Sequence, residues 1–371
     1  MRIVISGYYG FANVGDEAIL YSIIQALKAN EANIEITVLS NNPEETKATY
    51  GVQAVNRWKL GEVLAALKKS DGLISGGGSL LQDETGFKSI PYYTGIMKMA
   101  QMLRKPVFVY AQGMGPIHKS FNKKLVKHVL KKAKITVRDE ASERLLKEIG
   151  LNHPIDIVPD PVLGLTVKEQ VAENVADSTL EEGNQAIFWW EAQGFQGAVL
   201  TVSVRDWPSE LDFKRKIAGA LDEVAREGVD IVFVPMHGEH DDKSSREVAA
   251  LMSGKSSISP YDASIEDKIT IIGKSNLLVG MRLHALIFAS ITYTPFVALS
   301  YDPKIDAFAD ICNQQVAGHV NEDNWNAASL YECIQYVRLN EESEIEKLTK
   351  KIKPLQDKAM TTALNAIQAF S

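Results

Sequence analysis

Only two cysteines, Cys312 and Cys333, occur in 371 residues. They are far apart and in no metal-ligating spacing, so neither a disulfide framework nor a cysteine zinc site is expected. No apolar run approaches the ~20 residues needed to span a bilayer. Met1 leads directly into "RIVISG", without an apolar leader or a small-residue cleavage site, which predicts a cytoplasmic location. An excess of basic charge is also missing. Forty-seven acidic residues against 40 basic ones give a net charge of −7, which argues against general nucleic-acid binding. Repeats and low-complexity segments are absent.

What remains is an ordinary globular composition, 45% hydrophobic and 23% charged, long enough for two cores. Short apolar, β-branched runs alternate with helical-period segments. The first series is "RIVIS", "IEITVLS", "GLISG", "VFVYAQG", "KITVRD" and "IDIVPD". The second is "AVLTVSV", "VDIVFVP", "TIIG", "LLVGM" and "PFVALS". Continuous apolar runs with helical crossovers predict buried parallel strands, hence an α/β chain with two sheets. The expected boundaries are a domain over 1–165, a linker with an aromatic insert over 166–198, a domain over 199–340 and a helical segment over 341–371. Trp189 and Trp190, in the insert, are expected to pack rather than to touch lipid.

Ligands of open α/β sheets bind beyond the carboxyl ends of the strands. There the chain places "GYYGFANVGDEAIL", "GGGSLLQDE", "QGMGP", "RDEAS", "PDP", "RDW", "PMHGEHD" and "GMRLH". Asn13 and Asp16 have the character of helix caps, and Asp16 can also act as a base. Gly76, Gly77 and Gly78 with Ser79 suit a tight turn, or a backbone approaching a ligand at a helix start. Neither glycine cluster has dinucleotide or Walker spacing. His237 and His240, followed by Asp241 and Asp242, could hold a metal but lack further ligands. They are read as a polar loop.

Arg138, Arg205 and Arg282 each follow a predicted strand. Guanidinium groups grip carboxylate and phosphate in bidentate fashion, so three in one topological position suggest a seat for a small anion. Arg282 and His284 stand where a helix begins. Cations at that end are unfavourable unless an anion arrives, so their removal is expected to stabilise the fold.

"GYYGFANVGDEAIL", "SGGGSLLQD", "AQGMGP", "VRDEAS" and "GMRLHALIFAS" together resemble the polysaccharide pyruvyl transferase family. Their order and spacing are similar to its cell-wall branch, the CsaB-type enzymes of Gram-positive bacteria that carry S-layers. The resemblance implies two Rossmann-like domains facing a cleft, as in GT-B glycosyltransferases, with a C-terminal crossover helix. It implies phosphoenolpyruvate as co-substrate, no metal and no separate cofactor. The product is a cyclic pyruvate ketal on a sugar, for this branch the N-acetylmannosamine of a lipid-diphosphate-linked precursor.

On that reading His284 is the acid, and Arg138, Arg205 and Arg282 hold phosphate and carboxylate. Asp16 or Asp160 takes the hydroxyl proton. Asn13 and Gly76 to Ser79 serve the acceptor in the N-terminal domain, while the donor occupies the C-terminal one. The basic amphipathic segment 119–134, with Phe121, Leu125, Val129 and Leu130, is a candidate for contact with the inner membrane face. The alternatives are a GT-B glycosyltransferase using a nucleotide sugar, and a non-catalytic glycan-binding protein.

Overall fold

The computed structural model describes residues 1–83, 86, 88–165, 185–208 and 212–371. The chain divides into two compact units. The first comprises Met1–Leu165 with Leu355–Ser371, and the second Thr166–Pro354. The helix Glu341–Phe370 contains Pro354, so it starts in the second unit and ends in the first. Of the expected linker, residues 166–184 lie outside the described residues. Residues 185–193, in the expected aromatic insert, form a helix. It rests on the helix Ile265–Gly273, and the Ala186 amide donates to Asp267 Oδ1 at 2.9 Å. Trp189 and Trp190 are half-buried on it, and Trp190 meets Phe195 edge to face.

The first unit is built on β1 (Arg2–Ser6), β2 (Glu35–Ser40), β3 (Gln53–Asn56), β4 (Gly72–Ser75), β5 (Gly78–Leu81), β6 (Val107–Met114), β7 (Lys134–Val137) and β8 (Ile155–Ile157). These run parallel in the order β3-β2-β1-β4-β6-β7-β8, with β5 added alongside β6. The second unit contains β9 (Val199–Ser203), β10 (Asp230–Phe233), β11 (Ser256–Ile258), β12 (Leu277–Gly280), β13 (Phe296–Ser300) and β14 (Gln315–His319). Their order is β11-β10-β9-β12-β13-β14, again all parallel. Helices cover both sheets, so central strands such as β9 and β13 are buried along their whole length.

Two sequence expectations change. "TIIG" ends the helix Ile265–Gly273 and is not a strand. The Ser264–Asp267 capping box starts that helix, and it is buried nearly all round, which erases its polar face. The glycine run leads into β5, not into a helix, and Gly78 pairs with Gln112 of β6.

One irregularity aims side chains at the strand ends. The register between β6 and β7 slips between Val109 and Gln112, where Ala111 adopts a left-handed φ of 48°. Thr136 fills the gap. Its hydroxyl accepts from the Ala111 amide at 2.7 Å and donates to the Val109 carbonyl at 2.9 Å. Beyond the bulge, Gln112 donates to Ser75 Oγ and the Gly76 carbonyl, and its own carbonyl accepts from the Arg138 amide. Thr136→Val should leave a buried amide and carbonyl unpaired. The expected loss is about 1–3 kcal/mol of stability in urea unfolding.

Candidate active site

The carboxyl-end rim of the second sheet gathers a cationic group. Arg205 follows β9. Its guanidinium lies 4.5 Å from the Tyr301 ring centroid and 5.1 Å from that of Trp207, two rings themselves 4.6 Å apart. Trp207 is held by an Nε1 bond to Asn321 Oδ1 at 2.7 Å. Lys304 stands at the start of the helix Pro303–Cys312, paired with Asp302 at 2.9 Å and 5.8 Å from the Tyr301 ring. Farther along, His319 bonds Asp306 at 2.8 Å, and Asp306 also accepts from Ser300 Oγ.

β12 lies beside β9, with Ser203 opposite Gly280, so Arg282 follows the neighbouring strand. Arg282 is still extended (φ −84°, ψ 126°) as N-cap of the helix Leu283–Ile291, and His284 is the second residue of that helix. This meets the geometric condition for both side chains to serve one site, because residues two apart in a regular helix diverge.

Arg282 does not wait for an anion, however. Its Nε and Nη2 donate to the two oxygens of Asp241 at 2.9 and 2.5 Å, and Asp241 is only 1% exposed. Asp241 accepts also from the Met236 amide. Asp241 thus belongs to the arginine, not to a metal constellation with His237 and His240, whose rings stand 5.3 Å apart. Among the described residues no three His, Cys, Asp or Glu side chains converge to hold a metal ion. Burial, then the Arg282 charge, push the His237 pKa down. Behind Asp241, Lys268 is fully buried and donates to the carbonyls of Pro260 and Tyr261, and burial pulls its pKa down to about 8.

The remaining residues singled out from the sequence lie in the first unit. Asn13 caps the helix Val14–Asn30 by accepting from the Gly15 amide at 3.2 Å. Asp16, in the first turn of that helix, approaches Gly78, where a Cβ would come within 2.8 Å of Oδ1. Gly78 also has φ +83°, so glycine is required there on two counts. Gly76 and Gly77 are explained by packing instead. A Cβ at the first would strike Tyr9 Oη at 2.0 Å, and at the second Ile19 at 2.8 Å.

Arg138 donates to Ser79 Oγ at 3.1 Å and stands 3.6 Å from both Asp160 and Asp139. Asp160 is 7% exposed and caps the short helix Pro161–Gly164. It accepts from the Val162 amide and stands as a counter-ion to Arg138. Arg138 belongs to the first unit and Arg205 and Arg282 to the second, so the three do not form one cluster within a unit.

Residues 13–303 match the family model for polysaccharide pyruvyl transferase. The chain belongs to this family. A curated relative, the amylovoran biosynthesis protein AmsJ of Erwinia amylovora, is 19% identical over 362 residues, covering 82% of this chain and 84% of that protein. The fold is shared with Anabaena HepE in complex with UDP-glucose. That protein is 11% identical with a TM-score of 0.65, and the match covers 99% of this chain and 98% of the other. It is also shared with the Neisseria meningitidis UDP-GlcNAc 2-epimerase bound to UDP-GlcNAc. There identity is 12% and TM-score 0.65, with 100% and 99% covered. The chain is thus an α/β protein of two Rossmann-like domains, with a Rickettsia africae glycosyltransferase and UDP-GlcNAc 2-epimerases among its structural neighbours.

Sequence reading missed Asp241 as a partner of Arg282, and Tyr301, Trp207 and Lys304 around Arg205. Asp241 lies 41 positions from its arginine, and only the topology brings them together. Tyr301 and Lys304 follow β13, so the strand-end rule that found the arginines also reaches them.

The pair reverses the expected effect of removing Arg282. A helix-end penalty of ~0.3–1 kcal/mol per exposed cation is outweighed by leaving a buried carboxylate unpaired. Arg282→Gln should therefore destabilise the protein by about 3 kcal/mol. Adding Asp241→Asn should restore part of that, as a double-mutant cycle in urea would measure. A gain in stability for Arg282→Gln alone would contradict the pairing.

Proposed function

We propose that the protein transfers pyruvate from phosphoenolpyruvate to a sugar of a cell-wall polysaccharide precursor, forming a cyclic ketal. The carrying observation is the second-unit rim, where Arg205, Arg282 with His284, and Lys304 follow the carboxyl ends of the neighbouring strands β9, β12 and β13. Such a set suits a small ligand bearing phosphate and carboxylate. Asp241 holds Arg282 through Nε and Nη2, fixing the direction of the guanidinium edge left for the donor. Preset dipoles and charges of this kind stabilise charge that shifts during reaction.

The chemistry follows from the donor. His284 gives a proton to the methylene carbon of phosphoenolpyruvate, and the adjacent carbon becomes cation-like. A sugar hydroxyl attacks that carbon and gives up its proton to a base. A second hydroxyl closes the ring and passes its proton to the phosphate as the C–O bond to phosphate breaks, and inorganic phosphate leaves. Arg205, Lys304 and Arg282 neutralise the departing phosphate. Positioned proton transfer contributes ~10²–10⁴ in rate.

The acceptor side is assigned to the first unit, around Asn13, Asp16 and Ser79. The CsaB-type order of motifs motivates an N-acetylmannosaminyl lipid-diphosphate acceptor. Wild type with phosphoenolpyruvate and that acceptor should release phosphate and form the ketal without added divalent metal. His284→Gln should lose at least about a hundred-fold in kcat while retaining donor affinity. Glycosyl transfer from a UDP-sugar, with phosphoenolpyruvate untouched, would favour the glycosyltransferase reading.

No described helix is long and apolar enough to cross a membrane. The segment 119–134 forms the helix Ser120–Leu130, but Val126, Val129 and Leu130 are buried in the first unit's core and Leu125 packs against it. Its apolar face is therefore unavailable to lipid. What the helix presents is Phe121, 66% exposed, and exposed lysines at 123, 124 and 127, continued by Lys131 and Lys132. Contact with a lipid-linked acceptor's membrane would thus be electrostatic, worth ~1 kcal/mol per lysine. Replacing Lys123, Lys124, Lys131 and Lys132 by Gln should abolish most co-sedimentation with phosphatidylglycerol vesicles at low salt. Turnover of a soluble short-chain acceptor should hardly change. Equal vesicle binding would reduce the helix to a solvated face.

A further inference from the structure

The loops that follow β1, β2 and β3 carry an aromatic cluster that the catalytic assignment above does not use. At its centre is Arg57, only 3% exposed. Its Nη1 donates to the Gly7 carbonyl at 2.7 Å and its Nη2 to Tyr93 Oη at 3.2 Å. Its Nε is buried without a hydrogen-bond partner. The guanidinium is surrounded by rings instead, with centroids of Tyr92, Trp58, Phe11 and Tyr93 at 4.5, 5.1, 5.2 and 5.5 Å. A buried cation so enclosed makes the rings a rigid unit, because each cation–π contact fixes a ring's position.

Two parts of that unit reach solvent. Tyr8 lies parallel to Phe11, centroids 4.1 Å apart and planes 6° apart, and is 40% exposed. Trp58 is 59% exposed, yet it is held by Nε1 donating to Asn41 Oδ1 at 2.9 Å and by packing on Tyr92. Asn41 in turn donates to the Gly10 carbonyl, and its amide donates to the Tyr9 carbonyl, which ties the β2 loop to the β1 loop. Exposed apolar patches mark interaction sites, and these two rings are held in the open by the contacts just named.

We propose that Tyr8 and Trp58 form a stacking platform for the pyranose ring of the acceptor saccharide. The argument rests on the acceptor side of the proposed function. A pyranose has one face of C–H groups and an edge of hydroxyls. The C–H face fits the electron-rich face of an aromatic ring, and the hydroxyl edge fits polar groups around it. Here the rings are bordered by Asn41, the Tyr8 hydroxyl and Asp16, whose charge acts on the Tyr8 phenol. A free phosphate or a peptide strand would not need flat, fixed rings with an amide rim. The platform thus holds the sugar by its apolar face and leaves its hydroxyls toward the end of β1, near Asp16 in the first turn of the helix Val14–Asn30.

Saturation-transfer NMR with the methyl β-glycoside of N-acetylmannosamine would test this on the full chain, beside N-acetylmannosaminitol, which keeps the acetamido group and carbon chain but has no ring. The glycoside should receive saturation at its ring hydrogens and the alditol none. Trp58→Ala and Tyr8→Ala should each weaken glycoside binding about ten-fold, and Trp58→Phe should restore most of it. Donor affinity should be untouched. Circular dichroism would verify that the exposed-site variants remain folded. Undiminished binding by both alanine variants, equal binding of the alditol, or no binding by wild type would each overturn the platform. The two readings separate cleanly. Ring-dependent glycoside binding without any use of phosphoenolpyruvate would sink the pyruvyl transfer and keep the platform. Normal ketal formation with an unchanged acceptor KM in both alanine variants would do the opposite.

Discussion

A carboxylate at 1% exposure has to be matched, and Asp241 is matched by Arg282. Much of the second unit's rim depends on that requirement. The pair links the helix Gly238–Leu251, which follows β10, to the turn that follows β12, and β9 runs between those strands. It therefore fixes three adjacent strand ends relative to one another. A charge pair in such a place contributes little net stability compared with apolar packing, but its loss is severe. Its benefit is direction. One edge of the Arg282 guanidinium is committed inward, and the rest of the group is aimed before any ligand arrives. His284, two residues on, inherits its position from the same turn.

The first unit is organised differently. There the strand-end residues are fitted to one another by shape. Gly76 makes room for Tyr9, Gly77 for Ile19 and Gly78 for Asp16. The bulge at Ala111, closed by Thr136, turns Gln112 toward Ser75 and Gly76. A glycine run read only as an anion cradle would miss this. The Gly76 amide already donates to the Ser6 carbonyl, and Gly78 opens a strand. The two cationic centres differ in the same way. Arg282 is answered by a carboxylate, whereas Arg57 is answered by rings and a carbonyl.

Much of this was readable from the chain because parallel sheets write themselves plainly. Strands buried on both faces appear as unbroken apolar runs, and the residues just after them are where ligands bind. That rule singled out Arg138, Arg205, Arg282 and His284, and each lies just beyond a strand end of the fold. It failed where period and burial conflict. "TIIG" lies in a helix buried on nearly every side, so its apolar run imitates a strand. The short edge strands β3 and β11 carry too few apolar residues to stand out. Partners distant in sequence were beyond reach. Asp241 looked like part of a histidine-rich loop, and no motif marked Arg57. Only the strand order brings each to its neighbours.

The amphipathic helix Ser120–Leu130 shows how far a pattern carries and where it stops. Alternating lysines and aliphatic residues define two faces, but the pattern does not say which solvent each face meets. Val126, Val129 and Leu130 turn to the core against strands and helices of their own unit. The lysines are left outside because the apolar face was needed inside. A crossover helix of any parallel sheet faces that demand first, since the sheet behind it must be covered. Adsorption to a charged surface can then use only what the fold leaves over. Reach toward a lipid-linked acceptor would come from charge, whereas recognition of its sugar would come from fixed rings.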